Sequence, residues 1–323
     1  MAQRYEQPIP FGWFALETSS ELAVGEVKPL KYFGRDLVLF RTESGTATVL
    51  NAFCPHLGAH LGHGGSVVGE NIACPFHGWQ FDGDGVCQEV PYAKNMPPRV
   101  KDKKTIDSYP VVERNGMIWA WYHPHNISPS FEVEEIPEIG SPDWTDLEFY
   151  DWEINTIIQE AGENGADVAH FMFVHSSPEM PKGDVSMDGV KRSTDLLNKV
   201  PRINNSGESD SSGEDWEYIA VNSVNVGPGQ TIQRITRAFE VVMLGTITPI
   251  DDQSIHLRFV FTMPKNQTDM NKVLADATRD NIAGGVEQDI VIWNHKSFVE
   301  DPILCDGDGP IAKYRKWFGQ FYA

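Results

Sequence analysis

Apolar runs broken by turn signals organise the first 130 residues. Residues 36–41 (DLVLFR) and 46–53 (TATVLNAF) flank Glu43-Ser44-Gly45, while 111–113 and 117–122 (MIWAWY) flank Arg114-Asn115-Gly116. Asn-Gly between two such runs is a strong hairpin signal, because both residues accept the left-handed backbone of a tight turn. Between the two pairs lie 78–82 (GWQFD), a turn at 82–85 (DGDG) and 86–90 (VCQEV). These segments predict a small antiparallel β domain.

The pattern changes near residues 129–142, where FEVEEIP at 131–137 reads as a connector. Beyond it, residues 153–175 carry helical spacing in their middle, and 216–224, 231–243 and 254–263 are rich in β-branched and aromatic residues, which predicts strands. Residues 204–215 (NNSGESDSSGED) read as a solvated acidic loop. Residues 269–298 predict one long helix, since Ile282, Val286, Asp289 and Trp293 recur at spacings of four and three. The expected fold class is α+β, with an antiparallel β domain over 1–130 and a mixed domain over 131–323.

Charge sharpens that division. The 323 residues include 26 Lys+Arg and 46 Asp+Glu, a net charge of −20, which argues against nucleic acid or an anionic membrane as a partner. Residues 1–130 hold 11 basic and 13 acidic side chains, whereas 131–323 hold 15 and 33, so the net charges are −2 and −18. One basic cluster, Lys94, Arg99, Lys101, Lys103 and Lys104, follows the second Cys-His loop described below. It reads either as a solvated loop or as a docking patch for an acidic electron donor. An apolar content of 41% suits a globular chain, and no apolar run is long enough to span a bilayer. The N-terminus MAQRY lacks a signal-peptide core, and four Cys are too few for a disulfide scaffold, so the expected location is cytoplasmic.

Two constellations carry candidate chemistry. Cys54-Pro55-His56 and Cys74-Pro75-Phe76-His77 form C-x-H-x17-C-x2-H, each half leaving a predicted strand for a loop. A 2Fe–2S cluster of mixed ligation takes two thiolates on one iron and two imidazoles on the other, and two such loops can supply them. A tetrahedral zinc site is the structural alternative, although C-x-H fits its usual ligand spacing poorly. His60, His63, Cys87 and Cys305 fall outside the pattern. The second constellation is D-x2-H-x4-H, formed by Asp167, His170 and His175. Two histidines five residues apart point about 140° away from each other on an ideal helix, so both reach one metal only if the helix ends around 171–174. Two imidazoles and a carboxylate on one face of an iron leave positions open for other ligands. Asp289, on the apolar face of the predicted long helix, is the third candidate, because a buried charge there needs a partner. Ordinary core or surface histidines and a salt-bridged Asp289 are the competing readings.

Together, CPH…CPFHGW and ENGADVAHFMFVH resemble the terminal oxygenases of the Rieske non-haem iron class. Residues 74–93 (CPFHGWQFDGDGVCQEVPYA), 136–146 (IPEIGSPDWTD) and 288–322 (QDIVIWNHKSFVEDPIL…YRKWFGQFY) are similar to the 3-ketosteroid 9α-hydroxylase oxygenases and the related cholesterol desaturases. The resemblance implies a Rieske domain followed by a helix-grip catalytic domain, in which a twisted antiparallel sheet wraps a long C-terminal helix. It implies that Cys54 and Cys74 hold one cluster iron, His56 and His77 the other, and that His170, His175 and Asp289 hold a mononuclear Fe(II). Asp167 would hydrogen-bond His170 and, across a subunit boundary, His77 of a neighbour, in a head-to-tail homotrimer. The implied activity is monooxygenation of a hydrophobic polycyclic substrate such as a steroid, using O2 and electrons from an NAD(P)H-dependent reductase or a ferredoxin. Phe171, Met172, Phe173 and Trp293 are candidates for the pocket wall. The alternatives within the class are an aromatic-ring dioxygenase, an O- or N-demethylase, or a sterol desaturase, and outside it a Rieske electron carrier. The hydrophobic N-terminal segment of membrane-anchored desaturases is missing, which favours the soluble bacterial branch.

Overall fold

A computed structural model describes residues 4–202, 216–236 and 239–323. The acidic loop read at 204–215 lies outside the described residues. The chain divides into two compact units, Trp13–Ser130 and Met1–Gly12 with Phe131–Ala323. Residues up to Gly12, assigned above to the β domain, therefore group with the second unit. Tyr5 is fully buried there, its hydroxyl 3.2 Å from Thr156 Oγ1 and donating to the Lys296 carbonyl at 3.1 Å. Arg4 donates to the Trp293 and Asn294 carbonyls at 3.2 and 2.6 Å, placing a cation where a helix leaves its last carbonyls unpaired.

The β unit contains β1 (Gly12–Thr18), β2 (Val27–Tyr32), β3 (Arg35–Arg41), β4 (Ala47–Asn51), β5 (Ser66–Val68), β6 (Asn71–Ala73), β7 (Gln80–Phe81), β8 (Cys87–Glu89), β9 (Ser108–Tyr109), β10 (Val111–Arg114) and β11 (Met117–Tyr122). They form three sheets, ordered β1-β11-β10, β2-β3-β4-β9 and β5-β6-β7-β8. The Asn-Gly hairpin is present: Arg114 pairs with Met117 around Asn115 and Gly116, whose φ angles are 57° and 73°. Asp82 ties the DGDG turn by accepting from the backbone of Asp84 and Val86 at 3.0 and 2.9 Å. The small β5–β8 sheet matters most, because the β4–β5 and β6–β7 connections carry the two Cys-His motifs.

The second unit has β12 (Glu148–Ile154), α1 (Ile158–Glu163), α2 (His170–Phe173), β13 (Lys182–Asp188), β14 (Lys191–Pro201), β15 (Trp216–Val226), β16 (Gln230–Thr236), β17 (Glu240–Pro249), β18 (Ile255–Thr262), α3 (Asp269–Trp293) and α4 (Ile311–Phe318). One seven-stranded antiparallel sheet runs β12-β18-β17-β16-β15-β14-β13. Residues 231–243, read as one strand, are two: Thr236 pairs with Glu240 and the chain reverses between them. No Gly or Pro marks that reversal in the sequence. The helix α3 is capped by Thr268, whose hydroxyl accepts from Asn271 N, and it ends five residues before the expected Phe298. Its buried face packs Leu274, Ala275 and Ile282 against Ile219, Ile235, Val241, Met243 and Phe261 of the sheet. This is the expected helix-grip arrangement, and it aims the next α3 turns, with Asp289, at the segment carrying the paired histidines.

Candidate metal centres

The two Cys-His loops share one backbone form. Cys54 N donates to Ala59 O at 2.9 Å, and Cys74 N donates to Trp79 O at 2.8 Å, each five residues on. Each Cys carbonyl accepts at 2.9 Å from a glycine four residues later, Gly58 or Gly78. Those glycines sit at φ 75° and 71°, where a side chain would be strained. The loops differ in carrying histidine at the third or the fourth position.

The donors meet like to like. The His56 and His77 rings lie 4.7 Å apart, and the buried Cys54 thiol lies beside that of Cys74. Burial, with the Cys74 thiol beside it, pushes the Cys54 thiol up to about 12, so a bare Cys54 stays protonated at neutral pH. His77 Nδ1 is buried without a hydrogen-bond partner, as an unfilled ligand position would be. Among the described residues, the only three such donors within 4.8 Å of one another belong to the other unit. These four donors therefore do not converge on one point, as a single zinc with ligand distances of about 2.0–2.3 Å requires. Thiol pair and imidazole pair fit a two-iron cluster.

Sequence reasoning missed two neighbours. Trp79 stacks flat on His56, with centroids 4.6 Å apart and planes 6° from parallel, and donates from Nε1 to the Tyr92 hydroxyl at 2.9 Å. The sequence signal was the aromatic residue directly after the motif's HG. Around the imidazoles, Leu57, Phe76 and Tyr92 are 64%, 61% and 61% exposed.

In the second unit, the helical spacing at 153–175 resolves into two short helices with a turn between them, and α2 ends at Phe173. That break lets His175 turn back toward His170, their rings 5.0 Å apart. His170, His175 and Asp289 each bring a ligand atom within 4.8 Å of the others. His170 Nδ1 meets the Asp167 carbonyl at 2.5 Å, while its buried Nε2 has no partner. Burial lowers the His170 pKa, keeping the ring neutral as a metal ligand must be. Asp289 Oδ1 lies 3.3 Å from His175 Nε2 and raises that ring's pKa, the hydrogen bond outweighing burial. Asn164 Nδ2 donates to Asp289 Oδ2 at 2.8 Å, and Gln288 Oε1 lies 2.9 Å from His175 Nδ1. Neither Asn164 nor Gln288 was anticipated.

Asp167 departs from expectation. Its carboxylate accepts from the backbone of Ala169 and His170 at 3.1 and 3.2 Å, and stays 4.0 Å from His170 Nδ1. The carbonyl, not the carboxylate, holds the imidazole. Of the suggested pocket residues, Phe171 lies 4.4 Å from the His170 ring, Trp293 is buried and Phe173 is 83% exposed.

A buried polar frame supports this segment. Arg192 donates to the Gly165 carbonyl at 2.7 Å and to Asn225 Oδ1 at 3.0 Å, and Arg315 pairs with Glu163 at 2.6 and 2.9 Å. Gly162 permits a close approach, because a Cβ there would sit 2.3 Å from the Tyr314 hydroxyl. That hydroxyl donates to Gln159 O of α1. Gly162→Ala should therefore overpack the frame, costing about 1–3 kcal/mol in denaturant unfolding, with weaker iron retention than the parent.

Comparison with known proteins agrees with both centres. Residues 12–110 match the Rieske 2Fe–2S domain and residues 120–322 the 3-ketosteroid 9alpha-hydroxylase C-terminal domain. The class is that of the Rieske oxygenases, oxidoreductases holding a 2Fe–2S cluster and a mononuclear iron. Within it, this chain belongs to the 3-ketosteroid 9α-hydroxylase family. It is 32% identical to a probable 3-ketosteroid-9-alpha-monooxygenase oxygenase component of Rhodococcus rhodochrous, over 96% of this chain and 79% of the relative. It is 34% identical to a cholesterol 7-desaturase of Xenopus laevis, over 97% and 72%. Dicamba monooxygenase bound to dicamba shares the fold at 18% identity, with a TM-score of 0.73 over 96% of each chain. Among the described residues, no helix is long and apolar enough to cross a membrane.

Proposed function

We propose that this chain is the terminal oxygenase component of a multicomponent monooxygenase that hydroxylates a steroid, either a 3-ketosteroid or a sterol. The observation carrying this reading is the convergence of His170, His175 and Asp289 in a chain whose relatives act on steroid substrates. Cys54 and Cys74 would hold one cluster iron and His56 and His77 the other. His170, His175 and Asp289 would hold the mononuclear iron. When bound, these groups supply single electrons and activated O2, so that one oxygen atom enters a C–H bond and the other leaves as water at the expense of two electrons and two protons.

The chain's own groups set the conditions for that chemistry. The Asp167 carbonyl keeps the His170 proton on Nδ1 and leaves the Nε2 lone pair for metal. Asn164 occupies Asp289 Oδ2 and leaves Oδ1 to bind. Three protein ligands would leave the remaining positions open, and the Phe171 ring lies 4.4 Å from the His170 ring. Electrons would come from an NAD(P)H-dependent reductase, directly or through a ferredoxin, in the cytoplasm. Lys94, Arg99, Lys101 and Lys103 are exposed on a loop whose Val100 and Met96 pack in the same core as Cys54 and Cys74, a position that suits an acidic donor.

The assembly would be a head-to-tail homotrimer. The exposed Leu57, Phe76 and Tyr92 give the cluster face an apolar rim of the kind subunit contacts bury. Asp167, part-exposed beside His170, would bridge to His77 of the neighbour. Asp167→Asn should keep both metals yet slow cluster-to-iron electron transfer by about 10–100-fold in single turnover, and an unchanged rate would remove the bridge.

Desaturation is the second reading, favoured by the cholesterol 7-desaturase relatives. Incubation with reductase, O2 and a panel of 3-ketosteroids, sterols and simple arenes decides the matter by product mass. A steroid gaining one oxygen atom supports hydroxylation, and one losing two hydrogens supports desaturation. Turnover of arenes alone would overturn both.

A further inference from the structure

We infer that Gln288 is a positioning residue for the mononuclear iron, holding His175 in the one tautomer that can bind it. The inference rests on the reading that His175 and Asp289 are iron ligands.

Left to themselves, these two ligands satisfy each other. His175 Nε2 and Asp289 Oδ1 are 3.3 Å apart, so a proton on Nε2 would close a hydrogen bond between them and block both lone pairs. The proton must instead sit on Nδ1, and that nitrogen then needs an acceptor. Gln288 Oε1, 2.9 Å away, is the acceptor. With the proton held there, Nε2 and Oδ1 face each other as two lone pairs, an arrangement that a cation relieves.

The two histidines are fixed by different means. His170 is pinned by a main-chain carbonyl, which no substitution at Asp167 would remove. His175 depends on one side chain. The same helix face supplies the rest of its setting: a Cβ at Gly285 would lie 3.6 Å from the ring's Cε1 and Nδ1, in van der Waals contact with the imidazole. Residues 288 and 289 thus set the ring's proton and its co-ligand.

The test uses the full chain with its cluster intact and its mononuclear iron exchanged for Co(II). Binding is measured by equilibrium dialysis, and site geometry by Co(II) EPR against the oxidised, EPR-silent cluster. Gln288→Met, which keeps the side chain's bulk and removes the acceptor, should weaken Co(II) binding by about 10–100-fold and alter the EPR signal. Gln288→Glu restores an acceptor and should bind at least as tightly as the parent. Equal affinity of Gln288→Met and the parent would overturn the inference, as would a Gln288→Glu variant as weak as Gln288→Met. Failure of the parent to take up one Co(II) would instead overturn the ligand assignment itself.

Discussion

Replacing His170 by alanine should abolish oxygenation while leaving the visible spectrum of the cluster unchanged. His170 Nε2 is buried and unpartnered, so its removal takes away a donor that no neighbouring group can replace. The two donors that remain, His175 and Asp289, lie 3.3 Å apart and can close on each other. Iron should fall from three to two per chain, the two being those of the cluster. Turnover should drop by more than about 100-fold, beyond what losing a merely supporting contact to a ligand costs. Iron analysis, visible absorption and product yield on one preparation check all three. A variant that keeps its third iron and its turnover would show that His170 is not a ligand.

What the sequence made legible follows where the chemistry is written. The cluster motif is contiguous in each half, and the turn glycines Gly58 and Gly78 sit within it, so a linear reading finds both loops. Asp289 was found from its place on an apolar helix face, and its burial at 5% exposure explains why that reasoning works. Asn164 and Gln288 were invisible for the opposite reason: each looks like an ordinary polar residue at a helix edge. The contact to His170 expected of the Asp167 carboxylate is made by the Asp167 carbonyl, a group that every residue carries and no pattern distinguishes. The reversal between Thr236 and Glu240 was missed because β-branched and aromatic residues continue on both sides of it and no Gly or Pro interrupts residues 231–243. The segment before Gly12 was misassigned because adjacency in sequence suggested the β domain, whereas Tyr5 and Arg4 find their partners about 150 and 290 positions away. Long-range polar contacts of that kind leave no local trace.

Replacing Cys74 by alanine should erase the cluster and all turnover that depends on it. The assignment rests on two neighbouring buried thiols and two imidazoles 4.7 Å apart, and alanine leaves one iron with a single thiolate. The visible absorption and circular dichroism of the cluster should vanish rather than shift. Stability should fall as well, because a group bound only by the folded chain stabilises it by mass action. If that stabilisation is about 3 kcal/mol, a unit of this size melts roughly 10–20 °C lower without it. Losing any buried thiol from the same core could also lower stability, so Cys87→Ala is the necessary comparison. Cys87 is equally buried, belongs to the same apolar cluster as Cys54 and Cys74, and makes only a weak contact from Sγ to Glu89 O at 3.6 Å. Its removal leaves a small cavity worth about 1–2 kcal/mol and should spare the spectrum entirely. The two variants share the packing loss and differ in ligation alone. A Cys74→Ala protein that still carries the cluster's colour would therefore break the assignment of the β4–β5 and β6–β7 loops, and with it the reading of His56 and His77 as their partners.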